Sequence, residues 1–131
     1  MTITKNLRSL FKRPKSPSVE EDACVLLDDE RELDAAIASR DKLMVLFYAS
    51  WCPFSQAFLP VYLAHAAAGE PCYARIVVDS GDPVVEKYAI DVFPTVLFFE
   101  KGVPAQRLDG GFHRGLSQGQ LKDFARRCAV K

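Results

Sequence analysis

The sequence predicts an α/β fold in which helices cover both faces of a central sheet. Short apolar runs alternate with segments of helical period along most of the chain. The run KLMVLFYA, residues 42–49, has no polar alternation after Lys42, which is typical of a central strand buried on both faces. The length of 131 residues and the hydrophobic content of 49% suit one self-sufficient domain.

The predicted elements follow the order β-α-β-α-β-α-β-β-α. The strands are CVLL, KLMVLFYA, CYARIVVD, TVLFFE and the edge strand AQRLDGG, at 24–27, 42–49, 72–79, 95–100 and 105–111. The helices are predicted at 28–39, 53–68, 82–90 and 116–129. The last helix has Ser117 as N-cap and Gln120 in the capping-box position.

Charge divides the chain into a predicted N-terminal extension, residues 1–19, and a domain, residues 20–131. The extension carries five basic residues and no acidic one, whereas the domain has a net charge of −5. We interpret the extension as a partly disordered leader. A contact of residues 1–15 with a membrane surface or an acidic partner stays open, as does organelle targeting. Nucleic-acid binding is not expected, because five charges are too few and the domain is acidic.

The four cysteines show neither a disulfide framework nor the paired spacing of a zinc site. The chain also lacks an apolar run of bilayer length and the apolar core of a secretory signal. We therefore expect a cytoplasmic protein in a reducing compartment. Cys24 and Cys72 each open a predicted strand and are interpreted as separate thiols, with a second redox pair as the alternative. Cys128 is assigned to packing.

One cysteine, Cys52, lies between a buried strand and a helix start in the stretch FYASWCPFSQAFLP, residues 47–60. The thiolate is the nucleophilic form, and the free amides and dipole of a helix N-terminus favour it. Cys52 is therefore the predicted reactive thiol. Ser55, about one turn further on, is predicted to donate its hydroxyl to that thiolate. His65 lies too far along the helix to act as a base, and His113 is interpreted as solvated.

The WCPFS motif and four further landmarks resemble the thioredoxin family. The other landmarks are a helix proline eight residues beyond the cysteine, VFPT after the third helix, the FFEKG turn and a glycine in the last strand: Pro60, 92–95, 98–102 and Gly110. The resemblance covers about residues 22–130. It implies a thioredoxin fold, with a central mixed sheet of about five strands flanked by about four helices.

The resemblance also implies a substrate-binding surface beside the thiol. Pro94 is expected to be cis and to face Cys52, and the backbone of Phe93 to pair with an extended substrate segment. Trp51 and Pro53 complete the predicted substrate-binding set, since an exposed tryptophan often serves recognition. Trp51 as a packing residue is the alternative.

The sequence departs from the family at two positions that matter for thiol–disulfide exchange. Ser55 stands where dithiol members have the resolving cysteine, and Leu46 stands where they usually bury an acid. A mixed disulfide at Cys52 must then wait for an external thiol. We predict a monothiol reductase- or isomerase-type exchange protein with catalytic residues Cys52 and Ser55. It would act on protein disulfides or thiols, without cofactor or metal, and with glutathione or another small thiol as co-substrate.

Two other functions fit the same motif. A non-catalytic binding or chaperone-like module could hold clients through Cys52 without turnover. Iron–sulfur cluster binding with glutathione is the third reading, because CPFS resembles the C-x-F-S of monothiol glutaredoxins. Trp51, the VFPT segment and the additional N-terminal strand and helix resemble thioredoxin instead, so this reading is the least favoured. The oligomeric state and the identity of the substrate are not encoded in these patterns.

Overall fold

The computed structural model describes residues 24–69, 72–79, 81–111 and 114–128. The predictions for residues 1–19 and for His113 lie outside the described residues. The described chain contains five strands and four helices: β1 (Cys24–Leu27), α1 (Glu30–Ala38), β2 (Lys42–Tyr48), α2 (Pro53–Ala68), β3 (Tyr73–Val77), α3 (Pro83–Lys87), β4 (Thr95–Glu100), β5 (Val103–Asp109) and α4 (Gln118–Arg127).

The strands form one mixed sheet in the order β1-β3-β2-β4-β5. The strands β1, β3 and β2 are parallel, β4 runs antiparallel to them, and β5 pairs antiparallel with β4. The prediction of a mixed five-stranded sheet with β5 at an edge is confirmed. The fully buried strand β2 lies at the centre, as its uninterrupted apolar sequence predicts.

Two helices cover each face of the sheet. Helices α2 and α4 bury their apolar sides on one face, around Phe58, Tyr62 and Phe124. Helices α1 and α3 cover the other face with Leu33 and Val84 among others. No helix in the described part of the chain is long and apolar enough to cross a membrane.

Helix α3 is shorter than the predicted 82–90. It ends at Lys87 because Ala89 adopts a left-handed conformation, with φ 52°. The amide of Ile90 then bonds back to the carbonyl of Val85 at 2.9 Å, which satisfies an acceptor at the helix end. This backbone reversal carries the chain towards the segment before β4.

A buried tyrosine holds α2 on the sheet. The hydroxyl of Tyr62 lies 2.9 Å from the carbonyl oxygens of Met44 in β2 and Ala74 in β3. Burial is the main cause that raises the pKa of Tyr62 well above its usual value. The hydroxyl therefore stays protonated and acts as a donor, which fixes α2 over the two central strands.

Candidate functional site

The thiol of Cys52 lies at the N-cap of α2, directly after the loop that leaves β2. Its backbone is extended, with φ −91° and ψ 121°, and Pro53 occupies the first turn of the helix. The Cys52 amide donates to the carbonyl of Ala49 at 3.2 Å, and the amide of Gln56 donates to the carbonyl of Cys52 at 3.0 Å. The first turn contains no acidic residue. The positive end of the helix dipole thus faces the sulfur without a competing carboxylate.

A loop from the other half of the sheet approaches the sulfur. The Phe93–Pro94 peptide bond is cis, and Cys52 Sγ lies 3.9 Å from the carbonyl oxygen of Phe93. Two contacts hold this loop: Thr95 Oγ1 donates to the carbonyl of Val92 at 2.9 Å, and the amide of Gly110 donates to the carbonyl of Pro94 at 2.9 Å. The loop is therefore anchored to β4 and to the end of β5, and Cys52 beside it is 7% exposed.

An exposed aromatic surface borders the thiol. The indole of Trp51 is 61% exposed and meets the ring of Phe93 edge to face, at a centroid distance of 5.9 Å. Pro53 is exposed on the helix side of the sulfur. The predicted binding residues Trp51, Pro53, Phe93 and Pro94 thus surround Cys52. Trp51 and Pro53 are exposed and Phe93 is half-buried, so they form a mostly apolar surface that suits a polypeptide segment better than a small ion. Pro94 itself is buried.

Ser55 is fully buried, and its oxygen accepts a hydrogen bond from the amide of Ala49 at 3.2 Å. A hydroxyl has one hydrogen to donate, and this bond uses only an acceptor site of the oxygen. The hydroxyl hydrogen of Ser55 therefore remains the group that can be directed to the sulfur one turn away. Ser55 also ties the loop before Cys52 to the first turn of α2.

The other three thiols lie at the opposite end of the strands from Cys52. Cys24 begins β1 and Cys72 directly precedes β3, and both of these strands run parallel to β2, which ends near Cys52. Cys128 ends α4 within electrostatic range of Lys42, the first residue of β2. None of the four cysteines, all of which lie in the described residues, is joined in a disulfide. None of these three can reach a mixed disulfide on Cys52 in the folded molecule.

Burial controls the protonation of two of those remote thiols. The pKa of Cys128 is raised to about 11, chiefly by burial and against the lowering effect of Arg127. Burial also raises the pKa of Cys24, which the charge of Arg75 opposes. Both thiols are therefore protonated near neutral pH and poor nucleophiles as they stand.

Leu46 occupies the middle of β2 and is fully buried. Its register neighbours are Arg75 in β3 and Val96 in β4, so no carboxylate stands beside it on these strands. Among the described residues, no acidic side chain pairs with Leu46 on the neighbouring strands, so none is placed there to relay a proton to the site.

A second loop beside the site was not expected from the sequence. The backbone groups of Gly111 and Gly115 bond to each other at 2.9 and 3.0 Å, and Gly115 has φ +71°. A Cβ at Gly115 would lie 3.0 Å from Cβ of Phe54, within the WCPFS motif. The glycines of the GGFHRG stretch were the feature of the sequence that could have predicted this loop. They let this loop pack against Phe54 and border the site from the β5 side.

A separate cavity lies between α3 and β5. It has a volume of about 450 Å³, and Lys87 and Arg107 line it. Both cations are already paired, Lys87 with Glu30 and Arg107 with Asp109. Among the described residues no group of three or more His, Cys, Asp or Glu side chains is arranged to hold a metal ion.

The thioredoxin family model matches residues 24–125, a span that includes every element from β1 into α4. The chain belongs to the thioredoxin family. Known structures of thioredoxins have the same fold. A mutant thioredoxin from Halobacterium salinarum superimposes with a TM-score of 0.68 at 24% identity, covering 86% of this chain and 95% of that one. Mitochondrial thioredoxin 3 from Saccharomyces cerevisiae gives 0.68 at 20% identity, with 84% and 99% covered. The predicted thioredoxin fold is confirmed.

Sequence relatives include both single thioredoxin-like proteins and larger isomerases. Protein disulfide isomerase-like 1-4 of Oryza sativa is 40% identical over 73 residues, 52% of this chain and 13% of that protein. A thioredoxin-like protein of Fusarium culmorum is 32% identical over 75 residues, 54% of this chain and 62% of that protein. The matched region is thus less than two thirds of either relative. The chain thus shares its domain with thioredoxin-like proteins and with protein disulfide isomerase-like proteins.

Proposed function

We propose that this thioredoxin-family chain is a monothiol exchange protein, in which Cys52 forms mixed disulfides that an external thiol resolves. The observation that carries the proposal is the distribution of thiols. Cys52 stands alone at the N-terminus of α2 beside the cis-proline loop. The other three cysteines lie at the far end of the strands. The buried hydroxyl of Ser55 takes the place of a resolving thiol.

The proposed first step is attack of the Cys52 thiolate on a protein disulfide. A sulfur–sulfur bond forms between Cys52 and the substrate while the substrate disulfide breaks, and the departing substrate thiolate takes a proton. Trp51, Phe93 and Pro94 hold the substrate segment against the thiol. The positive end of the α2 dipole, with no acidic residue in the first turn, favours the sulfur anion that attacks.

The proposed second half requires two molecules of a small thiol such as glutathione. The first attacks the Cys52 sulfur, releases the second substrate thiol and leaves Cys52 glutathionylated. The second attacks the glutathione sulfur and frees Cys52, with glutathione disulfide as the product. The net reaction transfers two electrons from two glutathione thiols to one substrate disulfide. Such a cycle suits a compartment rich in small thiols, consistent with the cytoplasm expected from the sequence.

Insulin reduction in the presence and absence of glutathione tests this proposal. We expect the wild-type protein to accelerate reduction only when glutathione is present, and Cys52→Ser to lose the acceleration. Cys128→Ser is the matched control, because it removes a thiol remote from the site and should keep the rate. Ser55→Cys should gain one equivalent of reduction without glutathione, since it supplies a resolving thiol within the motif.

The alternative, a holding module, is favoured by the 61% exposure of Trp51 beside the thiol, which offers an apolar surface for clients. The same assay separates the two functions. A stable mixed disulfide with insulin chains, trapped on Cys52 and not released by glutathione, would replace the exchange proposal with the holding function. Full activity in Cys52→Ser would overturn both.

A further inference from the structure

Arg107 in the edge strand β5 holds the backbone reversal that follows helix α3. Its Nη1 donates to the carbonyl of Tyr88 at 3.0 Å, and its Nη2 donates to the carbonyl of Ala89 at 2.9 Å. Tyr88 is the C-cap of α3, and the last carbonyls of a helix have no partner within the helix. The guanidinium of Arg107 supplies these partners from a different element.

Asp109 fixes the orientation of that guanidinium. Arg107 Nη2 donates to Asp109 Oδ1 at 2.8 Å, and Arg107 Nε lies 3.2 Å from both carboxylate oxygens. Thr95 Oγ1 also lies 3.3 Å from Asp109 Oδ1, but its one hydrogen serves the closer carbonyl of Val92, at 2.9 Å. The planar fork of arginine is therefore held between one carboxylate and two carbonyls, a geometry that requires arginine rather than lysine.

The reversal leads directly into the loop that faces the thiol. Residues 90–92 separate Ala89 from Phe93, whose carbonyl oxygen lies 3.9 Å from Cys52 Sγ. The far end of this loop is held by the two contacts to β4 and to the end of β5 described for the site. Arg107 anchors the near end, so the β4–β5 hairpin holds the loop on both sides of Phe93.

We propose that Arg107, oriented by Asp109, is a positioning residue of the exchange site. It acts through the backbone of residues 88–93 and sets the place of the Phe93 carbonyl beside the thiol of Cys52. This assignment rests on the proposed function, in which the loop holds the substrate segment. Without the fork the loop shifts, and a polypeptide disulfide meets the thiol in a poorer orientation. A small disulfide, which needs no contact with the loop, is affected far less.

The fluorescence of Trp51 tests the position of the loop without any exchange reaction. The chain contains one tryptophan, and its indole meets the ring of Phe93 edge to face, at a centroid distance of 5.9 Å. We expect Arg107→Gln to change the emission spectrum of Trp51, because the ring of Phe93 moves relative to the indole. Asp109→Asn should give a smaller change in the same direction, since an amide oxygen still accepts from the guanidinium but lacks the charge.

Two disulfides of different size test the effect on the exchange site. Formation of a mixed disulfide at Cys52 is followed by mass spectrometry with insulin and with hydroxyethyl disulfide, a small neutral molecule. We expect Arg107→Gln to slow the reaction with insulin roughly tenfold, while the small disulfide reacts at nearly the wild-type rate. Circular dichroism should show an unchanged fold, because Arg107 and Asp109 are partly exposed, by 38% and 47% of their side chains.

Arg126→Gln is the matched control. It removes an arginine that is likewise paired with an aspartate, Asp123, but lies in α4. Its Trp51 spectrum and both reaction rates should equal those of the wild type.

An unchanged Trp51 spectrum in Arg107→Gln would overturn the proposal, as would an unchanged rate with insulin or equal slowing with both disulfides. None of these measurements uses glutathione. A wild-type protein that forms the mixed disulfide but does not turn over with glutathione would therefore refute the monothiol cycle and leave the test of Arg107 intact. If the wild type formed no mixed disulfide at all, the proposed function would fail, and the Trp51 spectrum would still decide whether Arg107 positions the loop.

Discussion

At residue 55 a hydroxyl stands one helical turn after the reactive thiol, and the structure gives it a structural partner as well. Ser55 accepts from the amide of Ala49, so the residue fixes the loop that presents Cys52. A cysteine at this position would bring a weaker acceptor to that amide together with a resolving thiol. With oxygen in place of sulfur at this position, the residue helps to present the Cys52 thiol but cannot resolve its mixed disulfide.

Gly110 supports the other side of the site, and we expect Gly110→Ala to destabilise the fold by about 1–3 kcal/mol. A Cβ at this position would lie 2.6 Å from the carbonyl oxygen of Pro94, a backbone atom that cannot turn aside as a side chain can. Because that carbonyl belongs to the loop facing Cys52, the insulin reduction rate should fall as well. Urea unfolding at neutral pH measures the loss of stability.

Gly81→Ala is the matched control for this glycine, since a Cβ there meets no atom within 4 Å. We expect its midpoint of unfolding to equal or exceed that of the wild type. Equal stability of Gly110→Ala and Gly81→Ala would contradict the close approach of Gly110 to the loop.

At the scale of elements, α2 and α4 begin in different ways. Helix α4 has a complete capping box: the hydroxyl of Ser117 accepts from the amide of Gln120, whose side chain accepts from the amide of Ser117. Helix α2 has Cys52 at its N-cap, and the sulfur makes no capping hydrogen bond. A helix start without such a cap leaves its first amides available to a sulfur anion. The capping box thus stabilises the start of α4, whereas the uncapped start of α2 is available to the chemistry of the thiol.

We expect Ser117→Ala to lower the free energy of unfolding by about 1 kcal/mol, because the hydroxyl that accepts from the amide of Gln120 is lost, while the backbone amide of residue 117 remains. Gly119→Ala, two residues further on, should change stability in the opposite direction by roughly 0.5–1 kcal/mol. The added methyl group meets only the hydroxyl oxygen of Ser117, at 4.0 Å, and the backbone loses freedom when unfolded. Thermal unfolding followed by circular dichroism compares both with the wild type. Equal melting temperatures would refute the capping argument.

For the whole molecule, the arrangement of thiols along the sheet is the organising feature. One thiol stands where parallel strands β3 and β2 end, beside a helix N-terminus, and three stand where these strands begin. Under the proposed function, the first exchanges with protein substrates. The others lie in or against the core between the sheet and helices α2 and α4. The strands thereby separate the thiol beside the helix N-terminus from the three thiols in or against the core.

Burial of Cys128 should make the reduced protein less stable in alkali. Its pKa in the folded protein is about 11, compared with a usual value of 9.0. Between these values the unfolded chain releases the proton and the folded chain keeps it, so the unfolded state binds fewer protons and stability falls as pH rises. The loss is at most about 1.4 kcal/mol per pH unit, and solvent screening of this partly exposed thiol makes it smaller. Urea unfolding from pH 8 to 11 under reducing conditions measures it.

Cys128→Ala removes this titrating group. Relative to its own stability at pH 8, it should lose less stability by pH 11 than the wild type does. Cys24 and Tyr62, whose pKa values are also raised, act in the same direction in both proteins. Parallel losses in the two proteins would show that Cys128 does not contribute.

The sequence by itself determined the fold class, the order of all nine elements and the position of the reactive cysteine. The apolar run of β2 has one plausible environment, a strand covered on both faces, and WCPFS followed by helical periodicity puts Cys52 at a helix start. Local pattern suffices here, because burial and helix capping depend mainly on neighbours in sequence. Element ends were less accurate: Ala89 ended α3 early by a backbone conformation that no pattern of apolar residues specifies.

Only the tertiary structure decided which distant residues meet. The approach of Phe93 to Cys52, the contact of Gly115 with Phe54 and the placement of Cys72 against the cluster that holds Cys24 join segments far apart in the chain. Sheet order and register fix these distances, and both depend on the packing of the whole core rather than on any one segment. The local sequence therefore identifies the thiol, whereas the assembled sheet determines which residues lie beside it.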